Sequence, residues 1–161
     1  MVSLKRALRR RRQLHSLLPR LKADDPDLIE LRLVRDGVTD ADVARLSSAL
    51  SVNTSVRLLD LSGNKITSRG ARSLATALLS NESVEAVRLN GNPLGDEGVG
   101  SLCQALANRT CGVGTLYLRR VGMGRYGAQA LGAALVGAEV RPPRTPRRAA
   151  AAPRTPTNAN G

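Results

Sequence analysis

Few residues in this chain could make or break a covalent bond. His15 is the only histidine, and a histidine works as a general base only when geometry sets it against the proton it takes. A lone one reads as a helix residue. The two cysteines, Cys103 and Cys111, form neither a Cys/His zinc cluster nor a disulfide framework. No G-x-x-x-x-G-K-[ST] phosphate loop is present. Asp96-Glu97 opens a helix, where carboxylates favour the helix dipole, and Gly91-Asn-Pro-Leu-Gly95 is a turn. We expect no catalytic residue, no metal site and no cofactor. The chemistry on offer is recognition. Arg32, Asp60, Arg88 and Tyr117 recur at steps of 28, 28 and 29 residues, followed at two positions on by Val34, Ser62, Asn90 and Arg119. Tyr and Arg are the residue types that anchor protein interfaces.

That period belongs to the elements that must carry these residues. Leu28-Ile-Glu-Leu31-Arg-Leu33 is followed by Val56-Arg-Leu-Leu59-Asp-Leu61, Val84-Glu-Ala-Val87-Arg-Leu89 and Val113-Gly-Thr-Leu116-Tyr-Leu118. Alternation across Leu59-Asp60-Leu61 predicts a short strand with one face buried. In phase with it run Leu46-Ser-Ser-Ala49-Leu50, Leu74-Ala-Thr-Ala77-Leu78, Leu102-Cys-Gln-Ala105-Leu106 and Leu131-Gly-Ala-Ala134-Leu135. Their spacing puts the leucines on one helical stripe. Gly70, Gly98 and Gly127 open these helices, with Asp42 standing in at the first, and small residues let each helix lie close to the strand layer. Ser68 and Asp96 are the expected N-caps. Asn64 and Asn92 end their strands, and we read them as structural: an amide there satisfies backbone groups in a turn too tight for its own ladder. Two patterns locked to one period describe stacked strand–helix units rather than a globule with a cleft.

The spacing L-x-x-L-x-L-x-x-N-x-L, with the helix half G-x-x-x-L-x-x-A-L, resembles the ribonuclease-inhibitor type of leucine-rich repeat over residues 28–135. Asp36 and Asp42 depart from it in the first unit, Val121 and Met123 in the fourth. The segment Lys22-Ala-Asp-Asp-Pro-Asp-Leu28 is similar to the start of the repeat region in tropomodulin-like proteins. The resemblance implies an α/β fold: a right-handed leucine-rich-repeat solenoid, a horseshoe fragment with parallel strands on the concave face and helices on the convex face. It implies protein binding without catalysis. Relatives without further domains have cytoskeletal or ciliary partners, and GTPase-activating proteins use the same repeat, so a regulator of a small GTPase is the alternative class. This chain has no motif matching those proteins' functional residues.

We expect four repeats, 28–55, 56–83, 84–112 and 113–140, between a basic N-terminal arm (1–27) and a disordered Pro/Ala-rich tail (141–161). The formal charge of +12 resides in the ends. Residues 1–22 hold eight Lys or Arg and no acid, 141–161 five Arg and no acid, and the middle is close to neutral. A balanced middle argues against nucleic acid on the folded part, although the arms could reach nucleic acid or an acidic membrane. Leu14, Leu17 and Leu18 predict a helix capping the first strand, with Arg9 to Arg12 as its solvated face. The competing reading is a mitochondrial presequence. No cap follows the fourth unit, which leaves the last strand edge open, or covered by a partner or a second copy. Thr145 and Thr155, in two Pro-Arg-Thr-Pro copies, are candidate phosphorylation sites. Asn53, Asn81 and Asn108 match the glycosylation sequon but recur with the repeat, and we read them as loop residues. Reduced cysteines and the lack of a secretory signal or an 18-residue apolar run predict a cytoplasmic protein, at the cytoskeleton or cilium if relatives guide it. The outward rows Arg32, Asp60, Arg88, Tyr117 and Ser62, Asn90, Arg119 are the expected partner surface.

Overall fold

The computed structural model describes residues 13–108 and 110–137. A helix over 13–22 (α1) precedes β1 (Glu30–Arg32), α2 (Asp40–Leu50), β2 (Leu58–Asp60), α3 (Ser68–Ser80), β3 (Ala86–Arg88), α4 (Gly95–Leu106), β4 (Thr115–Tyr117) and α5 (Arg125–Gly137). The strands form one parallel sheet in the order β1-β2-β3-β4. Leu31, Leu59, Val87 and Leu116 lie opposite one another in register. The basic residues Arg9 to Arg12 and the threonines Thr145 and Thr155 lie outside the described residues.

The middle residue of each strand points into a spine shared by all units. Leu31, Leu59 and Val87 are fully buried, as are Leu33, Leu61 and Leu89 two residues on. The helices close this core with Leu46, Leu50, Leu74, Leu78 and Leu102. A fully buried side chain of this size stabilises by about 1.5–3 kcal/mol, so a core of thin aliphatic layers suffices without Phe or Trp. Burial fades at the last unit. Leu116, Leu118 and Leu131 are only partly buried, and Leu135, expected on the apolar stripe, is 67% exposed. Its equivalents Leu50 and Leu78 are buried; among the described residues no element follows α5.

At the opposite end, α1 does cover the first unit. Leu21 is fully buried, and Leu14, Leu17 and Leu18 pack against the core. The Gln13 side-chain amide donates to the Arg32 carbonyl at 3.1 Å, satisfying an edge group of β1. His15 is exposed on this helix.

Three sets of polar side chains bind unit to unit. The Asn64 amide donates to the carbonyls of Leu33 and Leu61, both at 2.7 Å, and its oxygen accepts from Val38 N–H at 3.1 Å. Asn92 repeats this with Leu61, Leu89 and Ile66. A second ladder lies at the other end of the strands. Asn81 donates to Leu50 and Asn53 carbonyls and accepts from Ser83 and Val84 N–H; Asn53 donates to Leu21 O and accepts from Ser55 and Val56 N–H. Asn53 and Asn81 are therefore buried, not merely loop residues. Asn108 sits out of step with them and only closes its own turn on Thr110.

The third set is acidic, and it corrects the expected caps. Asp40 accepts from the Thr67 N–H, the Thr67 hydroxyl and the Gly70 N–H of the next unit. Asp96 accepts from Gly124 and Gly127 N–H one unit on. Asp96 thus serves the following helix rather than capping its own, and α3 is capped by Thr67 instead of Ser68: its hydroxyl accepts from Arg69 N–H at 3.3 Å. Asp42 holds the Thr39 N–H and hydroxyl at the start of α2. The opening glycines admit these contacts. A Cβ on Gly70 would strike the Asp40 carboxylate, and one on Gly98 would lie 3.1 Å from Ser68 Cα and 3.2 Å from Ala71 Cβ. The close approach is to the neighbouring helix, not to the strands as expected. Gly112 is tighter still, against the backbone of Glu82.

Asp24 extends the acidic set to the N-terminal side, accepting from Thr54 N–H at 2.8 Å and its hydroxyl at 2.6 Å. The Thr54 hydroxyl and amide hold its carboxyl below the ordinary 3.8. At Asp40 burial pushes upward, but the Thr67 hydroxyl and amide and the Gly70 amide outweigh it and the carboxyl is lowered. A carboxyl depressed in the folded state contributes stability fully above its unfolded pKa, and loses it as pH falls through the folded value. Melting temperature should therefore be flat near neutrality and fall below about pH 4. In Asp24→Asn/Asp40→Asn it should start lower at neutrality and fall less on acidification, as thermal melts by circular dichroism across pH would record. An acid limb unchanged in the double variant would refute this assignment.

Candidate interaction surface

The parallel register sets the outward residues in rows. Arg32, Asp60, Arg88 and Tyr117 are consecutive register partners, as are Glu30, Leu58, Ala86 and Thr115. Neighbouring strands lie about 4.8 Å apart, so each row presents one side chain per step.

The central row is not uniformly exposed. Arg32 is exposed and turns along its own strand to Glu30 at 2.7 Å. Asp60, expected between two arginines, is only 6% exposed and reaches one of them, Arg88, at 3.5 Å. Its other oxygen accepts from Ser62 N–H at 3.1 Å. Asp60 is thus a supporting residue beneath the surface, and Arg32 pairs with Glu30 instead. Arg88 stands above it with its guanidinium carbon 5.2 Å from the centre of the Tyr117 ring. Tyr117 itself is 43% exposed. An arginine fixed by a carboxylate below and an aromatic face beside it is preorganised, because its rotamer freedom is already spent.

The second row bends away into the loops that follow the strands. The Asn90 side chain accepts from Arg119 N–H at 2.7 Å and so ties the third unit to the fourth. Val34, Ser62, Asn90 and Arg119 line one groove of about 480 Å³, with Arg35, Gly63, Gly91 and Arg120. Ser62 and Asn90 are half-buried, and Val34 is 44% exposed. The sequence reading did not include Arg35 and Arg120. Both adopt left-handed backbone, φ +54° and +56°, at the repeat position that Gly63 and Gly91 hold, and their place in the period was the signal.

Nothing else converges on chemistry. Among the described residues no group of His, Cys, Asp and Glu could hold a metal ion. Cys103 and Cys111 are buried thiols, and burial pushes Cys103 upward, away from the reactive thiolate. No helix in the described residues is long and apolar enough to cross a membrane.

A strand, a buried asparagine and a helix, repeated in register and sharing one apolar spine, define a leucine-rich-repeat α/β solenoid. The protein-family model for the leucine-rich repeat matches residues 52–75 and 80–103, in agreement with that fold. Among solved structures it is similar to leiomodin-1 actin-binding site 2, at 24% identity and a TM-score of 0.67 over 73% of this chain and 69% of that one. It is also similar to the tropomodulin C-terminal domain of Caenorhabditis elegans, at 19% identity and a TM-score of 0.67 over 76% and 75%. At these identities the likeness is one of fold. No curated protein sequence matches the chain.

Proposed function

We propose that this protein is a non-enzymatic scaffold that binds a partner protein through the outward face of its sheet. The observation that carries this reading is the Asp60–Arg88–Tyr117 stack. An exposed tyrosine in a chain with two aromatic residues, paired with an oriented arginine, has the composition of an interface anchor. Its exposed half, the Arg88–Tyr117 contact, would contribute only about 0.5–1 kcal/mol as an internal ladder. A standard interface takes about 800 Å² per partner, and four short strands supply that only with their adjoining loops. The fold shared with leiomodin-1 actin-binding site 2 supports a cytoskeletal partner, with actin the first to test.

The test is co-sedimentation with actin filaments and affinity capture from extract, using the full chain and Arg88→Ala/Tyr117→Ala. The variant should weaken capture of the partner about tenfold or more, with a melt to verify that it folds, since Arg88→Ala takes the arginine from the buried Asp60 carboxylate. Tyr117→Ala alone, at an exposed side chain, should melt within about a degree or two of the parent. Retained capture by the double variant would place the interface elsewhere. Sedimentation with actin that persists in the variant would remove actin as a partner of this face.

A further inference from the structure

We propose that the groove beside the strand face binds an extended acidic peptide segment of the partner. This deepens the reading above and rests on the sheet and its following loops forming one partner surface. The arginines of the strand layer are neutralised: Arg32 by Glu30, Arg57 by Glu85, Arg88 by Asp60. Arg35, Arg119 and Arg120 are not. All three are exposed and line the groove, no carboxylate is among its lining residues, and no ion pair joins any of them to a carboxylate of the described residues.

The floor explains the shape of the occupant. Gly63 and Gly91, at φ +71° and +68°, put no side chain into the channel, and the Arg35 side chain lies across Gly63. Their N–H groups are already used between units, Gly63 to Asn90 O and Gly91 to Arg119 O at 2.7 Å each. The floor therefore offers van der Waals contact rather than backbone pairing, and recognition falls to the guanidinium groups at the two ends. The backbone positions of Arg35 and Arg120 are three strand steps apart, about 14 Å, and the Arg35 side chain folds one step inward over Gly63, so an extended peptide meets both in roughly three to four residues. The complementary ligand carries two carboxylates at that separation, with a small residue between them beside Val34. The lining holds no aromatic ring, so the stacking platform that single-stranded nucleic acid uses is absent. The chain's own basic tail has the wrong sign: residues 141–161 carry five Arg and no acid.

The test uses the full chain and a fluorescent Gly/Ser peptide with two glutamates about four residues apart. Its glutamine analogue, an oligo-dT of similar length and phosphatidylserine vesicles serve as competing ligands. Arg35→Glu/Arg119→Glu/Arg120→Glu is compared with Lys22→Glu/Arg45→Glu/Lys65→Glu, which changes net charge equally outside the groove. Anisotropy should show the glutamate peptide bound over its glutamine analogue, with affinity lost about tenfold or more in the groove variant and held within about twofold in the control. Equal loss in both variants, or equal binding of the glutamine analogue, would overturn the proposal. So would groove-dependent binding of oligo-dT or vesicles with none of the peptide. Melting curves verify that both variants fold, and Arg35→Gln/Arg119→Gln/Arg120→Gln repeats the comparison if the reversed charges do not. Partner capture by the two variants tells the readings apart: capture lost in Arg88→Ala/Tyr117→Ala but kept in the groove variant fails the groove alone, and capture kept in Arg88→Ala/Tyr117→Ala fails the strand face.

Discussion

Asn92→Ala should cost about 3–5 kcal/mol, a large part of the roughly 5–15 kcal/mol that holds a domain folded. The Asn92 side chain is 1% exposed and answers three backbone groups belonging to two units: Leu61 O at 2.9 Å, Leu89 O at 3.0 Å and Ile66 N–H at 3.1 Å. Alanine takes this partner from Leu89 O and Ile66 N–H, while Leu61 O keeps only the Asn64 amide. A buried backbone group left without a partner costs about 1–3 kcal/mol, and the turn leaves little room for water to replace an amide reaching both strands. Asn92→Asp should be no milder, since it keeps the acceptor for Ile66 but discards both donors and buries a charge. Asn108→Ala is the control, because its side chain is exposed and closes only a local turn; it should change stability by less than about 0.5 kcal/mol. Urea unfolding followed by circular dichroism separates them. An Asn92→Ala midpoint no lower than that of Asn108→Ala would mean the ladder does not bind the units together.

Leu59→Ala should cost about 3–4 kcal/mol, whereas Leu135→Ala should cost less than about 0.5 kcal/mol. Both leucines occupy motif positions of the repeat. Leu59 is fully buried, flanked in register by Leu31 and Val87, so truncation opens a cavity that neighbours on both sides cannot collapse into. Leu135 is 67% exposed, and its removal takes little area out of contact. Leu116→Ala, partly buried at the last strand, should fall between them. The order Leu59, Leu116, Leu135 in the same urea series is the signature of a core that thins toward one end. Equal losses at Leu59 and Leu135 would contradict it, and would mean that something covers the last helix.

The unit was legible because its signal is periodic. A residue recurring every 28 or 29 positions in the same surroundings reports its own burial, so Leu31, Leu59, Val87 and their helix partners could be placed before any coordinates. Asn64 and Asn92 were readable for the same reason. Side-chain direction within a row was not. Arg32 pairs with Glu30, two residues back on its own strand, although Asp60 is its register partner on the next strand, and no repeat pattern encodes that choice. The Asp40 and Asp96 contacts were hidden because Ser68 interrupts their row, so the recurrence appears only at twice the period. Asn53 and Asn81 showed the period plainly, but their resemblance to sequons drew attention to the surface while their amides reach inward. Leu135 misled because a motif specifies a side chain and not whether another unit follows to cover it.

The partner surface is the central claim, and its most direct test removes everything that competes with it. The fragment for this test is residues 13–137, which keeps Leu14, Leu17, Leu18 and Leu21 of α1 against the core. That fragment lacks the five arginines of the tail and most of the N-terminal basic cluster, so binding by the arms should vanish with it, as should the steep salt dependence expected of a polybasic contact. Capture of the same protein partner by the fragment and the full chain, at physiological salt and sensitive to Arg88→Ala/Tyr117→Ala, is the predicted result. Loss of every partner from a fragment that melts cooperatively would contradict the account and assign recognition to the basic ends.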